Sequence, residues 1–290
     1  MSEIKKFFKS RWENGYILEA DFSQLEVICL AQLSQDETLI ADILSGRDMH
    51  IARAAQLFGI PESDFIRDYK LGNAQRIEQR RLAKTLSFQL QYGAGATSMA
   101  KKNKIKKVLA QEFISNYYSR YPKILWWQSQ VEKEVKKSRI WDGESRTESG
   151  LPSGTGRFKS ITGKLYTFHE YDNKWRPGQV DFSFTQMKNY PVQGLAADIV
   201  ALILGVVFRK IKANPKLRDS FLMINTVHDS ILFDAKDKET LELGARLVKE
   251  TMENAPKYIE EAFGFKFVIP KMKVDLEAGK NWMEIEKYEI

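Results

Sequence analysis

Apolar positions recur every three to four residues along most of this chain and run together or alternate in only a few short stretches, a pattern that predicts many helices and few strands. Residues 15–22 read as a strand, apolar at Tyr16, Ile17 and Leu18 and running into Asp21. Ser23 then opens a helix carrying Leu25, Ile28, Leu30 and Leu33. Residues 34–44 and 48–58 form two further helices, broken by Gly46 and Gly59. A long helix is predicted over 73–92 and stops at Gly93 and Gly95, and more helix follows over 108–137, interrupted at Pro122. Residues 141–179 turn rich in Gly, Ser, Thr and aromatics, a signature of hairpins and loops. Pro191 is expected to open a helix that continues to about residue 212, proline being suited to a first turn. Residues 221–234 are apolar on both sides of His228-Asp229, which reads as strand, turn, strand. A helix over 237–254 and a last strand over 266–276 complete the pattern. The strands follow no regular βαβ rhythm, so the class is α+β.

Composition narrows this picture only a little. With 290 residues, 43% of them apolar and 29% charged, the chain can bury a core without staples. No apolar run approaches the length of a membrane span, no signal-peptide pattern opens the chain, and no membrane partner is expected. A single cysteine, Cys29, excludes a disulfide framework within the chain and any multi-cysteine zinc site, and three histidines argue against a histidine-rich metal cluster. A reducing compartment, the cytoplasm, fits best.

Charge changes the picture more. Residues 70–110 hold ten lysines and arginines against one acid, Glu78, a local +9; the whole chain is +7, so the remainder is −2. Concentrated positive charge attracts polyanions, although a solvated helix face has the same composition. Within that segment Arg80, Lys84, Phe88 and Tyr92 recur at spacing four. Each such step turns a helix by about 400°, so the four make one slowly winding stripe, with Leu82, Leu86 and Leu90 roughly opposite. Two cations for phosphates and two rings for sugar and base suit a nucleotide, while a surface helix with incidental aromatics is the plain alternative. Asp21 ends a strand and Asp229 sits at a hairpin tip, positions from which carboxylates of distant segments can meet and hold a hard cation such as Mg²⁺. Taken singly, Asp21 is equally a helix N-cap or first-turn acid and Asp229 an ordinary turn residue.

Together these residues form a known series. Asp21-Phe22-Ser23-Gln24-Leu25-Glu26 resembles the first palm motif of the family A DNA polymerases. Arg80, Lys84, Phe88 and Tyr92-Gly93 are similar to that family's fingers-helix motif, and Val227-His228-Asp229 to its third, hairpin motif. Asp48-Met49-His50 and Asn189-Tyr190-Pro191-Val192-Gln193-Gly194 match more weakly but fall in the right order.

The resemblance implies a template-directed DNA polymerase catalytic subunit that adds deoxynucleotides to a primer end by two-metal phosphoryl transfer. It implies an antiparallel palm sheet with a helical fingers subdomain inserted: palm over 1–35, fingers over 36–140, palm again over 141–290. Asp21 and Asp229 would hold two Mg²⁺ ions with help from the Phe22 carbonyl. Arg80, Lys84 and His50 would bind the incoming triphosphate, Lys84 also protonating the departing pyrophosphate. Phe88 would pack on the deoxyribose, Glu26 beside Tyr92 would exclude a ribose 2′-hydroxyl, and Tyr92 would guard the template base. Asn189, Gln193 and His228 would touch the primer terminus, with Gln24 near them. Primer–template DNA and deoxynucleoside triphosphates are the implied partners.

Several positions depart from the family's pattern. Ser230 stands where a Glu commonly follows the hairpin Asp, Thr185 where an Arg is often found (Lys188 is the nearby substitute), and Ile28 where another Arg is common. The family's thumb and any exonuclease domain find no room in the chain. The resemblance therefore suggests a split viral or bacterial polymerase, with a second polypeptide carrying the thumb, alone or together with the exonuclease. If viral, the chain would work in the host-cell cytoplasm. Ser230 and the missing thumb also support an alternative, a non-catalytic nucleic-acid-binding remnant of such a polymerase; retention of Asp21, Asp229, Arg80 and Lys84 argues against it.

Overall fold

The computed structural model describes residues 3–290. Along the chain, β1 (Tyr16–Phe22) leads into α1 (Leu25–Ser34), followed by α2 (Glu37–Leu44), α3 (Met49–Leu57), α4 (Glu62–Lys70) and α5 (Ala74–Gln91). Next come α6 (Ala96–Asn103), α7 (Lys107–Arg120), α8 (Pro122–Lys137), β2 (Thr155–Lys159), β3 (Leu165–Asp172) and β4 (Val180–Phe182). The chain closes with α9 (Phe184–Ala213), β5 (Phe221–Val227), β6 (Ser230–Ala235), α10 (Lys238–Glu253), α11 (Ala255–Phe263), β7 (Val274–Gly279) and β8 (Glu286–Lys287). Helices mixed with antiparallel strands make this an α+β protein, as the sequence predicts.

Four local expectations need correction. Pro191 lies inside α9, which begins at Phe184, and Ser183 opens it, its hydroxyl accepting from the Gln186 N–H at 3.3 Å. An interior proline removes one helical donor, and the remaining turns carry the helix past it. The last long strand starts at Val274, not 266, because residues 265–273 form no regular element. Helices α4, α6 and α11 were not foreseen; the first two bury one residue each, Phe65 and Met99, too few to set a period. Among the described residues α9 is also long and apolar enough to cross a membrane, contrary to the reading of the bare sequence. Its buried residues in the later turns, Leu195, Ile199, Ile203, Val206 and Val207, recur at three and four, the stripe of a helix packed on a core.

The chain divides into two compact units, the first made of residues up to Cys29 together with Gly194–Ile290 and the second of Leu30–Gln193. The first unit is built on a five-stranded antiparallel sheet in the order β5-β6-β1-β7-β8. Period-two alternation sorts its side chains. Leu18, Ala20 and Phe22 on β1, Ile231 and Phe233 on β6, and Val274 and Leu276 on β7 are all buried on one face. Helix α10, capped by the Asp237 carboxylate on the Thr240 N–H at 2.8 Å, packs against that sheet. The fit is close at Gly244, where a Cβ would lie 2.5 Å from the Phe221 ring. The opposite face carries Ile17, Glu19 and Asp21 on β1, and there the chemistry collects.

The second unit holds α2 to α8 and a small sheet in the order β2-β3-β4. Residues 141–193, which the family resemblance assigns to the returning palm, pack in this unit. The Glu170 carboxylate of β3 takes the Arg139 guanidinium at 2.7 Å and the Gly154 N–H at 2.7 Å. Gly156 of β2 sits so close to α8 that a Cβ there would lie 2.4 Å from the Val135 carbonyl. On the helical side the nearly buried Asp42 carboxylate accepts from Arg120 at 2.8 Å and from the Tyr121 hydroxyl at 2.7 Å.

Candidate active site

In the first unit β1 delivers Asp21 to the end of the sheet, and the β5–β6 turn delivers Asp229. The register pairs Asp21 with Ser230, the residue after Asp229, and the Phe22 N–H lies 3.4 Å from the Asp229 carbonyl. Two acids separated by more than two hundred positions in the chain thus come together at one end of one sheet, where its inner strands β1 and β6 pair. Across the neighbouring strand Asp21 faces Asp275 directly and Glu19 faces Glu277. Like charges directly opposite in an antiparallel pair repel. Burial, followed by the charges of Asp229, Glu19, Asp275 and Glu277, pushes the Asp21 carboxyl up from 3.8 to about 7. Burial also raises Asp229.

The backbone around these acids is unusual. His228, in the turn, and Gln24, between β1 and α1, have φ of +55° and +61°. Residues with side chains seldom adopt that region, and such strain collects at functional sites. Among the described residues no group of three or more His, Cys, Asp or Glu side chains is arranged to hold a metal unaided. A pair of crowded, partly desolvated carboxylates is an all-oxygen set that attracts hard divalent cations, which keep waters or take further oxygens from a substrate.

In the second unit the stripe on α5 is laid out as its spacing predicts. Ala83, Leu86, Ser87 and Leu90 are buried and Leu82 half-buried, so Lys84, Phe88 and Tyr92 stand exposed. Asn73 caps the helix on the Arg76 N–H at 3.2 Å. Its far end turns at Gly93, whose φ of +80° favours glycine, and a Cβ there would lie 2.8 Å from the Thr185 hydroxyl.

Arg80 differs from its neighbour Lys84. Its guanidinium donates two hydrogen bonds to one Asp48 oxygen, at 2.9 and 2.7 Å, and lies 5.4 Å from the centre of the Tyr69 ring. The other Asp48 oxygen caps α3 by accepting from the His50 and Ile51 N–H groups. Lys84 makes no ion pair among the described residues and approaches the Phe88 ring at 5.8 Å. The His50 ring lies 6.1 Å from that of Phe88. Burial first, and then the Arg53 charge, lowers the His50 imidazole from 6.5 to about 4, and its Nδ1 is buried without a hydrogen-bond partner. A buried ring nitrogen without a partner is an uncompensated polar group.

Asn189 and Gln193 lie one turn apart on α9, the first buried and the second exposed. Lys188 is committed within the unit: it is buried, donates to the Tyr118 hydroxyl at 3.1 Å and sits 4.0 Å over the Phe184 ring. It is therefore poorly placed to stand in for the arginine replaced by Thr185. Of the predicted residues, Asp21, Phe22, Gln24, Glu26, His228 and Asp229 lie in the first unit, and His50, Arg80, Lys84, Phe88, Tyr92, Asn189 and Gln193 in the second. Sequence reasoning missed Glu19 as a site neighbour, although alternation along β1 puts it on the face of Asp21. It also missed the grip of Asp48 on Arg80, for which no spacing rule exists.

Comparison with known proteins adds a second line of observation. The family model described as DNA polymerase family A matches residues 1–284. The thermostable DNA polymerase I of Thermus aquaticus is 31% identical over 281 residues, covering 95% of this chain and 28% of that protein. DNA polymerase I of Caldicellulosiruptor bescii is 30% identical over 282 residues, covering 97% and 28%. The chain thus spans about 28% of the length of these relatives. Among solved structures, the POL domain of Pol1 from M. smegmatis, in complex with DNA primer-template and dNTP, superposes with a TM-score of 0.67 at 24% identity. That match covers 96% of this chain and 42% of the other, and it concerns the fold.

Proposed function

Since the chain belongs to DNA polymerase family A, we propose that it carries the catalytic centre of a template-directed DNA polymerase, with primer–template DNA and deoxynucleoside triphosphates as its partners. In this reading the sheet of the first unit is the palm and the helices within 36–140 are the fingers. The single observation that carries it is the meeting of Asp21 and Asp229 at one end of the sheet, with Asp21 held near 7 by burial and neighbouring acids. Such a pair is electrostatically unsatisfied by itself and fits Mg²⁺, with the Phe22 carbonyl as a further oxygen. Two such ions, when bound, lower the charge barrier to in-line attack of a primer hydroxyl on a phosphate.

The remaining work falls to this chain's side chains. Arg80, Lys84 and His50 anchor the triphosphate, and positioning of this kind supplies much of the acceleration in phosphoryl transfer. Lys84, unpaired and beside Phe88, is placed to pass a proton to the leaving pyrophosphate. Phe88 packs on the deoxyribose, Glu26 closes the space a 2′-hydroxyl would need, and Tyr92 covers the template-base position. Asn189, Gln193, Gln24 and His228 hold the primer terminus, the two last from strained backbone that fixes their direction.

Primer extension with Mg²⁺ tests the proposal. Wild type extends, and Asp21→Ala and Asp229→Ala bind primer–template but do not extend it. Equal extension by wild type and both variants points to a contaminant and refutes the assignment. Glu26→Ala admits ribonucleotides more readily, and unchanged sugar selectivity removes Glu26 from the gate.

A further inference from the structure

Glu19 sits two residues before Asp21 on β1, and strand alternation places both on one face. Its cross-strand partner on β7 is Glu277, a like charge directly opposite. A carboxylate in that position costs stability unless it gains something in return. Both of its oxygens are engaged. The Ser230 hydroxyl donates to Glu19 Oε1 at 2.7 Å, and the Trp282 indole N–H donates to Glu19 Oε2 at 2.8 Å.

Each partner is itself fixed. Trp282 is 9% exposed and packs with Ile17 and Leu232, while Phe8 meets its ring edge-on at 5.6 Å and the Lys5 ammonium lies 4.1 Å from it. Ser230 is buried, opens β6 immediately after Asp229, and has its hydroxyl 3.1 Å from the Val227 carbonyl that begins the turn. A bridge therefore runs from an anchored indole through Glu19 to the residue next to Asp229.

We propose that Glu19 is a positioning residue that ties the hairpin bearing Asp229 to the strand bearing Asp21, so that the two carboxylates meet at a fixed separation. With its oxygens occupied by Ser230 and Trp282, Glu19 acts through these contacts and not as a ligand. Groups that orient metal-binding side chains from behind matter nearly as much as the ligands themselves. The serine at position 230 thereby has a structural role of its own, since its hydroxyl closes the bridge. This inference rests on the reading of Asp21 and Asp229 as a metal-binding pair.

Binding of Mn²⁺ alone to the full chain, followed by electron paramagnetic resonance, tests both layers. Glu19→Ala is expected to weaken Mn²⁺ binding about tenfold, the lower end of what loss of an orienting partner costs. Glu19→Gln is expected to bind as wild type does. Its carbonyl accepts from Trp282, its amide donates to the Ser230 oxygen, and the Ser230 proton turns to the Val227 carbonyl. Ser230→Ala, which loses one contact and leaves the Trp282 contact in place, falls between the two and keeps the proposal testable should Glu19→Ala not fold. Wild-type affinity in both Glu19→Ala and Ser230→Ala, or Glu19→Gln as weak as Glu19→Ala, overturns the proposal, the second result because it marks the charge and not the bridge as the active element. Asp229→Asn separates the layers: if it too binds Mn²⁺ like wild type, the metal reading fails before Glu19 is at issue.

Discussion

The polar face of the β1 sheet and the exposed stripe of α5 handle concentrated charge in opposite ways. On the sheet, Glu19, Asp21, Asp275 and Glu277 are set in like-charged pairs, and the strain shows as a carboxyl raised to about 7. On the helix, the forward cation is already neutralised, since Arg80 is held by Asp48, and among the described residues Lys84 has no ion-pair partner. Lys273 lies 3.6 Å from Asp275, but among the described residues no cation pairs with Asp21 or Asp229, and these two wait for a counter-charge from outside the chain. The basic region has supplied half of its own, so under the proposed function an arriving polyphosphate would compete with Asp48 for Arg80. The general lesson is that net charge, +9 over residues 70–110, overstates what a ligand meets, because pairing within the fold uses part of it.

The contrast is sharpest in single-turnover extension. Lys84→Ala is expected to slow the chemical step on the order of 10²-fold through loss of proton transfer. Arg80→Ala is expected to act mainly on nucleotide affinity, and Asp48→Asn to tighten nucleotide binding by freeing Arg80. An Asp48→Asn variant that binds nucleotide more weakly than wild type breaks the claim that Asp48 competes.

The pH dependence of unfolding separates the two regions by sign. The folded Asp21 carboxyl, at about 7, lies above its ordinary 3.8, so the fold holds that proton more tightly than the unfolded chain does. Its stabilising share is complete below about pH 4 and lost as pH rises to about 7. His50 runs the other way: lowered from 6.5 to about 4, it costs stability as pH falls through that window and costs none above it. Thermal midpoints measured from pH 4 to 7 should therefore climb more steeply with pH in Asp21→Asn than in wild type. In His50→Gln they should fall more steeply. Identical slopes in both variants contradict the assigned burial of these groups.

The smallest effect concerns the far end of α5. Gly93→Ala places a methyl at φ +80° and against Thr185, and is expected to cost about 1–3 kcal/mol in urea unfolding. Adding Thr185→Ala should recover the steric share and leave the backbone share.

Much of this was legible in the chain, for identifiable reasons. Strand β1, helix α5 and the β5–β6 hairpin each carry a local period or a turn that reports on itself, and the ordered motifs on them marked Asp21, Arg80, Lys84 and Asp229. Local signals fail where the determinant is distant. Pro191 suggested a helix start because its missing donor suits a first turn, yet Ser183 supplies the cap seven residues earlier than predicted. Within the second unit Glu170 and Gly156 join the small sheet to Arg139 and Val135, contacts that no local period in residues 141–193 announces. The Glu19–Trp282 contact joins positions 263 residues apart, beyond any periodicity.

The most direct test of the central claim is anomalous scattering from Mn²⁺ in crystals of this chain grown with primer–template and a nucleotide. The account predicts metal peaks bonded to carboxylate oxygens of both Asp21 and Asp229. Peaks elsewhere, with those two side chains bound to nothing, contradict it.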